Sequence, residues 1–329
     1  MKYINEVAAA SEAVRQAARL CSRIQNKLSG TDTVKKKDES PVTIADFGSQ
    51  AAIILKLLET FPNDSIVGEE SAGELRKRKD LANNVTNLVR TSGMSVSTTQ
   101  IVDAIDLGAH DTDFKGRFWT LDPIDGTKGF LRGDQFAIAL ALIENGEVKI
   151  GVLGCPNFPP EKRQNELSDH GRLYIAVKGE GAFCQSLSGG IKKRIKVDAI
   201  SDIRMARLCE SVEKGHAAHD RHQQIIDRLG IAAQPVRIDS QVKYAAVADG
   251  TASIYLRLPR DKVYREKIWD HAAGQIVLEE AGGRVTDCLG NPLVFGLGRQ
   301  LIRNRGVLAS NGRFHSRIVE TIKDLDFDL

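Results

Sequence analysis

The sequence predicts a protein of two lobes, in which an α+β half precedes an α/β half. Its 329 residues exceed the ~250–300 residues at which a single hydrophobic core stops growing. Strand-like apolar runs dominate from Trp119, and beyond about Val197 shorter runs alternate with helical segments. We therefore predict an N-terminal α+β domain of residues 1–198 and a C-terminal α/β domain of residues 199–329.

Charge and composition exclude several classes of protein. The chain carries 46 basic and 43 acidic residues, a balance that argues against a nucleic-acid coat. No apolar run approaches the ~20 residues that a membrane-spanning helix needs. The five cysteines lie far apart without a CxxC pair, which argues against a zinc ribbon or a disulfide scaffold. We expect a cytoplasmic protein with a small-molecule partner, without nucleic-acid or membrane partners.

The first two segments have helical periodicity. Apolar residues recur every three or four positions from Ile4 to Leu28, and this pattern predicts one helix with a buried stripe that ends near Ser29. A second helix is predicted to begin near Asp46. The charged segment 75–91 predicts a surface helix, and the small polar residues of 91–100 predict a loop.

The strands follow from shorter apolar runs. "SIVGEES" predicts a strand with Glu69 and Glu70 at its carboxyl end. "FAIALALIE" and "EVKIGVLGCP" flank Asn145 and Gly146, a strong signal for a hairpin. "GEGAF" lacks the third glycine of a dinucleotide-binding loop, so we interpret it as a turn.

The stretch "DPIDGT" places two aspartates three residues apart. Pro123 restricts Asp122 to an extended backbone and should end the strand ladder, so both carboxylates should emerge together. Paired carboxylates in a dry site need a cation, and Mg²⁺ prefers carboxylate and carbonyl oxygens such as that of Ile124. Gly126 and Thr127 would open a turn whose N–H groups cradle a phosphate. A solvated turn is an equally good interpretation of this stretch alone.

Other acidic residues accompany this stretch. Asp46 and Asp270 each lie near the start of a predicted helix, where aspartate also serves as an N-cap. Glu69 and Glu70 are also compatible with simple surface charge. Taken one at a time, these residues are better explained by helix capping or surface charge than by metal binding.

Together, the segments "GEES", "DPIDGT" and "WDHAAG", preceded by Asp46, resemble the lithium-sensitive, magnesium-dependent phosphatases that include inositol monophosphatase and fructose-1,6-bisphosphatase. The stretches "VEKGHAAHD", "DSQVKYAAVADG" and "YLRLP" look more narrowly like the 3′(2′),5′-bisphosphate nucleotidase branch of that superfamily. The likeness runs from about residue 40 to 312. It implies a layered α-β-α-β-α sandwich with the active site between the two lobes.

The resemblance implies a role for each acidic residue. Two or three Mg²⁺ ions would be held by Glu69, Asp122, the Ile124 carbonyl, Asp125 and Asp270. Asp46 and Thr127 would form the catalytic pair that orients and activates the attacking water. Glu70 should point to the other face of an extended strand, where it supports the ligands without binding a metal.

The resemblance also implies the substrate contacts. The nucleotide and its phosphates would meet Gly126, Thr127, His216, Ser240, Lys243 and Arg257. His216 follows the predicted nucleotide loop 213–215; a zinc site with His219 and His222 is disfavoured, because spacing by three without a motif frame is typical of ordinary helix residues. Lys35 to Lys37 are a candidate lid, with a solvated loop as the alternative.

We therefore expect Mg²⁺-dependent hydrolysis of the 3′-phosphate of adenosine 3′,5′-bisphosphate (PAP) to AMP, with 3′-phosphoadenylyl sulfate (PAPS) also accepted. Side activity on inositol 1,4-bisphosphate and inhibition by Li⁺ are further expectations, and we expect a monomer. One alternative is an inositol phosphate or polyphosphate 1-phosphatase with the same metal centre. The other is a non-catalytic bisphosphate sensor, which the intact Asp46 and Thr127 disfavour.

Overall fold

The computed structural model describes residues 2–28, 41–159, 171–212, 216–259 and 261–327, without side chains at 41–42 and 216–219. Its helices are α1 (Ile4–Leu28), α2 (Pro41–Thr60), α3 (Gly73–Lys77), α4 (Lys79–Arg90), α5 (Thr98–Ala109), α6 (Thr127–Arg132), α7 (His216–Leu229), α8 (Val242–Ala248), α9 (Ala272–Glu280) and α10 (His315–Asp324). Its strands are β1 (Ser65–Gly68), β2 (Arg117–Asp125), β3 (Ala137–Glu144), β4 (Glu147–Cys155), β5 (Arg172–Val177), β6 (Gly181–Ser186), β7 (Gly189–Arg194), β8 (Leu208–Glu210), β9 (Val236–Arg237), β10 (Ile254–Arg257), β11 (Arg284–Thr286) and β12 (Val307–Ser310). The predicted lid at 35–37 and the nucleotide loop at 213–215 lie outside the described residues.

The first sheet contains β1 to β7 in chain order. β1 pairs parallel with β2, and the pairs from β2 to β7 are antiparallel. The predicted hairpin joins β3 to β4 through Asn145 and Gly146, whose φ angles of 55° and 74° are those of a type I′ turn. "GEGAF" is the predicted turn, since β6 begins within it and pairs with β5.

The second sheet has the order β11-β12-β10-β8-β9. β10 pairs parallel with β8 and antiparallel with β12. Helices α8 and α9 lie between the two sheets, because their buried residues share one apolar cluster with the inward faces of both sheets. α1 and α2 cover the outer face of the first sheet, and α7 and α10 cover that of the second. The layered α-β-α-β-α sandwich is confirmed.

Two glycines in β4 allow close packing on both faces of the first sheet. A Cβ at Gly151 would lie 2.4 Å from Cγ2 of Ile276 in α9. A Cβ at Gly154 would lie 2.7 Å from Cγ1 of Val14 in α1. Because residues three apart in a strand point to opposite faces, each glycine admits one helix. The helices on either side therefore approach the backbone of β4 directly.

Several predicted boundaries were wrong. α2 begins at Pro41 rather than near Asp46, since proline suits the first turn of a helix, and Asp46 therefore lies inside the helix and not at its N-cap. The predicted surface helix is divided at Arg78 into α3 and α4. The predicted loop 91–100 ends in α5, which Ser97 and Gln100 cap reciprocally.

The strand β2 also departs from the prediction. It does not end at Pro123 but continues to Asp125, with a shift of register between Asp122 and Asp125. A bulge accommodates a proline within a strand because the bulged residue leaves the ladder of hydrogen bonds. The bulge thus replaces the strand end that the proline had suggested.

The division into two domains stays a prediction. The boundary near residue 198 lies between β7 and a short 3₁₀ helix at Ile203–Met205. Helices α8 and α9 come from the second half of the chain, yet they pack on the first sheet as well. Across the described ranges, no helix combines the length and the apolar character that crossing a membrane requires. All five thiols are free, and the cytoplasmic location remains an expectation.

Candidate active site

Two parallel strands bring acidic residues together at their carboxyl ends. Gly68, the last residue of β1, pairs with Leu121 of β2, so Glu69 and Asp122 follow side by side. The side chains of Glu69 and Asp122 share a hydrogen bond. Gln50 of α2 fixes the backbone of Glu70. Its amide nitrogen donates to the carbonyl of Glu70 at 2.8 Å, and its amide oxygen accepts from the N–H of Glu70 at 3.0 Å.

The bulge in β2 places its two aspartates on one side of the sheet. Asp122 pairs with Ala139 and Asp125 with Ala137, which are two residues apart and therefore on the same face of β3. The hydroxyl of Ser49 donates to the carbonyl of Pro123 at 2.9 Å and supports the bulge from α2. Without the extra residue, aspartates three apart would point to opposite faces.

Gln241 connects the bulge to the segment that carries Asp270. Its backbone N–H donates to Oδ2 of Asp125 at 2.5 Å. Its side-chain amide donates to the carbonyl of Trp269 at 2.8 Å and accepts from the N–H of Gly274 at 3.1 Å. Asp270 therefore lies between two backbone positions that Gln241 fixes, and Gln241 also touches Asp125.

The pKa values show how crowded these carboxyls are. Burial raises the pKa of Asp46 to about 9, with Glu70 and then Glu69 adding to the shift. Burial and Asp270 raise the pKa of Glu69 to about 7. Burial raises the pKa of Asp270 to about 6, although Arg257 opposes the rise.

The same crowding acts on the rest of the group. Burial followed by Glu69 and Asp125 raises the pKa of Asp122, and burial also raises that of Asp125. Burial raises the pKa of Glu70, helped by Glu74. We call Asp46, Glu69, Glu70, Asp122, Asp125 and Asp270 the acid cluster. Its members repel each other when ionised, so a cation in their midst is favoured.

A cleft of about 530 Å³ opens beside the acid cluster. Asp125, Gly126, Thr127, Asp270, Ser240, Lys243 and Arg257 are among the residues that line it. Gly126 has a φ of +90° and precedes α6, which starts at Thr127. Lys243 is buried, its pKa is lowered by that burial, and its Nζ lies 3.3 Å from the carbonyl of Ser240. The cleft thus joins predicted metal ligands to predicted phosphate contacts.

Arg257 lies at the boundary between these two groups. Its Nη2 is 2.9 Å from Oε2 of Glu266 and 3.6 Å from Oδ2 of Asp270. His216 begins α7, but its side chain is outside the described part of the chain, so its nucleotide contact stays a prediction. The assignments of the other predicted site residues also stay predictions, although these residues line the cleft, belong to the acid cluster or, for Ile124, lie in β2 between two of its members.

Glu266, Asp270 and His271 form a second grouping whose candidate ligand atoms lie within 4.8 Å of one another. Both ring nitrogens of His271 are already engaged, with the Tyr244 hydroxyl at 2.9 Å and with Glu266 at 3.2 Å. Glu266 also pairs with Arg257. We therefore interpret this grouping as a hydrogen-bonded network that shares Asp270 with the acid cluster.

The sequence model of the inositol monophosphatase family matches residues 3–326 of this chain. The chain belongs to the inositol monophosphatase family. Among its relatives, a 3′(2′),5′-bisphosphate nucleotidase of Emericella nidulans is 42% identical, in an alignment that covers 98% of this chain and 99% of the relative. The 3′(2′),5′-bisphosphate nucleotidase of Oryza sativa is 44% identical, in an alignment that covers 98% of this chain and 94% of the relative.

Solved structures of the inositol monophosphatase family have the same fold. The inositol monophosphatase of Anabaena superposes with a TM-score of 0.63 at 22% identity, covering 98% of this chain and 97% of that one. The enzyme of Zymomonas mobilis gives a TM-score of 0.66 at 20% identity, covering 98% and 99%. At identities of 20% and 22%, this similarity supports a shared fold and no shared activity.

Sequence reasoning missed several residues of the site. Gln241 binds Asp125, and Glu266 pairs with Arg257. Gln50 fixes the backbone of Glu70, and His271 binds Glu266. None of these four residues belonged to the predicted set. A signal for Gln241 existed, because it lies between Ser240 and Lys243 in the stretch "DSQVKY". Nothing local marks Gln50 or Glu266, whose partners come from other segments of the chain.

Proposed function

We propose that this protein is a magnesium-dependent phosphatase that hydrolyses the 3′-phosphate of PAP to give AMP and phosphate. One observation carries the proposal: the acid cluster, with its raised pKa values, borders a cleft that also contains Lys243 and Arg257. A substrate with two phosphates needs both a cation site at the scissile phosphate and protein cations for the second phosphate. Relatives with more than 40% identity are named as nucleotidases of this kind.

The donor set fits Mg²⁺, because the cluster offers carboxylate oxygens in place of imidazole or thiolate. Glu69, Asp122, Asp125, Asp270 and the Ile124 carbonyl would hold two or three ions. When bound, Mg²⁺ would neutralise phosphate charge and lower the pKa of water. The mutual repulsion of these carboxyls would be relieved by the same ions.

The reaction joins a water oxygen to phosphorus and breaks the bond between phosphorus and the 3′ oxygen of the ribose, which takes up a proton from solvent and leaves as the 3′-hydroxyl of AMP. We assign the proton lost by the water to Asp46, relayed through the hydroxyl of Thr127. Asp46 is buried in α2 beside Glu69 and Glu70. Burial, and then Glu70 and Glu69, raise its pKa, and cations among these carboxylates would favour the ionised form of Asp46 that accepts a proton.

The second phosphate would lie against Arg257 and Lys243, with Ser240 and His216 as further contacts. Arginine suits this task because it binds phosphate through two parallel hydrogen bonds, and lysine adds a point charge. Gly126 and Thr127 would contact the scissile phosphate from the start of α6. PAPS shares the 3′-phosphate, so we propose it as a second substrate. A monomeric state and a cytoplasmic location remain proposals.

Inositol phosphates are the main competing substrates, because the family model takes its name from inositol monophosphatase. Side activity on inositol 1,4-bisphosphate needs only the acid cluster and one further phosphate contact. A sensor that binds the bisphosphate without turnover would have no need for a proton acceptor at Asp46.

The test is phosphate release from PAP and from inositol 1-phosphate, measured in parallel across a Mg²⁺ titration. Wild type is compared with Asp46→Asn and with Asp103→Asn, a control at an exposed position on α5. We expect preference for PAP, turnover that depends on Mg²⁺, and loss of turnover in Asp46→Asn only. Preference for inositol 1-phosphate would contradict the substrate assignment, and tight PAP binding without turnover would indicate the sensor.

A further inference from the structure

Glu266 is a buried carboxylate in the cleft that the proposed reaction leaves without a role. Its side chain is 4% exposed, and it lies in the segment between β10 and Asp270. Its backbone carbonyl accepts a hydrogen bond from the N–H of Leu301 at 2.9 Å, which fixes the segment. Burying a carboxylate costs free energy unless it is paired, so the partners of Glu266 indicate its role.

One oxygen of Glu266 receives two donors. Oε2 lies 2.9 Å from Nη2 of Arg257 and 3.2 Å from Nε2 of His271. Nδ1 of His271 lies 2.9 Å from the hydroxyl of Tyr244. Because a carboxylate oxygen only accepts hydrogen bonds, Nε2 of His271 is the donor to Glu266, and the Tyr244 hydroxyl extends the chain at Nδ1. A fixed chain of hydrogen bonds therefore holds Glu266 against Arg257.

Arg257 has two carboxylates within reach, those of Glu266 and Asp270, and pairing with each would have a different effect on the site. The same Nη2 that pairs with Glu266 lies 3.6 Å from Oδ2 of Asp270. Asp270 is a proposed metal ligand, and a guanidinium paired with it would compete with the cation. An ion pair strengthens as its distance shortens, so Arg257 is bound mainly by Glu266 at its present position.

We propose that Glu266 is a positioning residue that holds Arg257 for the second phosphate of the substrate and keeps it from pairing closely with Asp270. The inference rests on the proposed function, in which Arg257 contacts that phosphate. It predicts that Glu266 controls selectivity for a bisphosphate over a 3′-monophosphate. It also predicts that Glu266 protects metal binding at Asp270.

The experiment compares PAP with adenosine 3′-monophosphate, which lacks the second phosphate, in wild type and Glu266→Gln. Glutamine keeps the size of the side chain and removes its charge. We expect kcat/KM for PAP to fall by about 10- to 100-fold, as for loss of a hydrogen bond to a charged group, mainly through KM. We expect kcat/KM for the monophosphate at saturating Mg²⁺ to change by less than about 3-fold. Glu147→Gln, at an exposed position on β4, is the matched control and should change neither value.

A second readout needs no turnover. Mg²⁺ binding is measured by calorimetry without nucleotide, where Glu266→Gln should weaken the affinity because Arg257 then pairs with Asp270. In the background of Arg257→Met, Glu266→Gln should have no further effect on selectivity or on Mg²⁺ affinity. Independent effects of the two substitutions would overturn the proposal.

The outcomes separate this inference from the proposed function. A wild type that does not prefer PAP to the monophosphate contradicts the proposed function itself. A wild type that prefers PAP, with Glu266→Gln retaining that preference or losing both activities equally, overturns the positioning role. If Glu266→Gln does not fold, Glu266→Asp retains the charge on a shorter side chain. A loss of selectivity for PAP in Glu266→Asp supports the proposal, and unchanged selectivity overturns it.

Discussion

Asp122 and Asp125 are three residues apart in β2, yet their partners in β3, Ala139 and Ala137, are only two residues apart. The bulge between the two aspartates therefore directs both carboxyls to one side of the sheet. There they meet Glu69 and Asp270, and their pKa values rise together. The carboxyls of the metal-free protein therefore repel each other when ionised. A bound cation or the substitution of one carboxyl should reduce this repulsion.

Asp122→Asn should stabilise the metal-free protein while weakening its response to Mg²⁺. At pH 8 in the presence of a chelator, we expect the free energy of unfolding to rise by about 1–3 kcal/mol, because asparagine removes a carboxyl whose ionisation is disfavoured by burial and by its acidic neighbours. Added Mg²⁺ should stabilise wild type strongly and the variant weakly. Chemical unfolding with and without Mg²⁺ measures both effects. Asp103→Asn, on the exposed face of α5, should behave as wild type, and a destabilised Asp122→Asn would contradict the prediction.

Gly126→Ala should destabilise the protein for two separable reasons. The residue has a φ of +90°, and a Cβ there would lie 2.8 Å from Cβ of Ser240. The left-handed backbone alone costs a residue with a Cβ about 1–2 kcal/mol. We expect a total loss of about 2–3 kcal/mol in urea unfolding.

Ser240→Gly removes the atom that the added methyl group would meet. In that background Gly126→Ala should cost only the backbone part, about 1–2 kcal/mol. A double-mutant cycle on the free energy of unfolding therefore isolates the contact. If the effects of the two substitutions on the free energy of unfolding are strictly additive, the contact between the added methyl group and Ser240 does not affect stability.

Arg299→Ala should weaken Mg²⁺ binding although Arg299 is no proposed ligand. Its guanidinium donates to the carbonyl of Gly68, just before Glu69, and lies 4.8 Å from the ring centre of Trp269, just before Asp270. We expect a loss of about 1–3 kcal/mol in stability and about 10- to 100-fold in Mg²⁺ affinity. Calorimetry and chemical unfolding measure these, with Arg228→Ala on the exposed face of α7 as the control. Unchanged Mg²⁺ affinity would show that Arg299 does not position the ligands.

His315 should make stability depend on pH in the acidic range. Burial, and then Arg284, lower its pKa from 6.5 to about 4. Its ring nitrogens each lie 2.8 Å from a hydroxyl, those of Thr286 and Ser310. The unfolded chain binds a proton at higher pH than the folded one, so this contribution is complete above pH 6.5 and is lost as the pH falls to about 4.

The measurement is the difference in free energy of unfolding between wild type and His315→Gln. That difference should shrink as the pH falls through this range, by about 2–3 kcal/mol in total. Taking the difference cancels the opposite contribution of the acid cluster, which both proteins share. A difference that is constant with pH would contradict the assigned shift.

Local periodicity predicted single elements, whereas the layered sandwich and the roles of the acidic residues were implied by the resemblance to a family. α1 and the hairpin at Asn145 and Gly146 follow from patterns within one segment. The bulge in β2 did not follow, since the proline that suggested a strand end is equally compatible with an unpaired residue inside a strand. The start of α2 at Pro41 was missed for a similar reason, because Asp46 is equally compatible with an N-cap and with a position inside the helix.

The supporting residues could not be predicted because their partners are distant in the chain. Gln241 is 116 residues from Asp125, and Arg299 is 231 residues from Gly68. No periodicity connects such positions, and only the stacking of the layers brings them together. His271 and Tyr244 are 27 residues apart and meet only because α8 and α9 pack side by side.

The hydrogen bonds of Gln241 also bear on the order in which activity is gained during folding. Asp125 belongs to the first sheet, whereas Gln241 and Asp270 enter the site only with the segments around α8 and α9. A chain in which only the first sheet had formed would therefore lack one proposed metal ligand and the amide that anchors another. Turnover should require the docking of these helices, so recovery of turnover would report that docking.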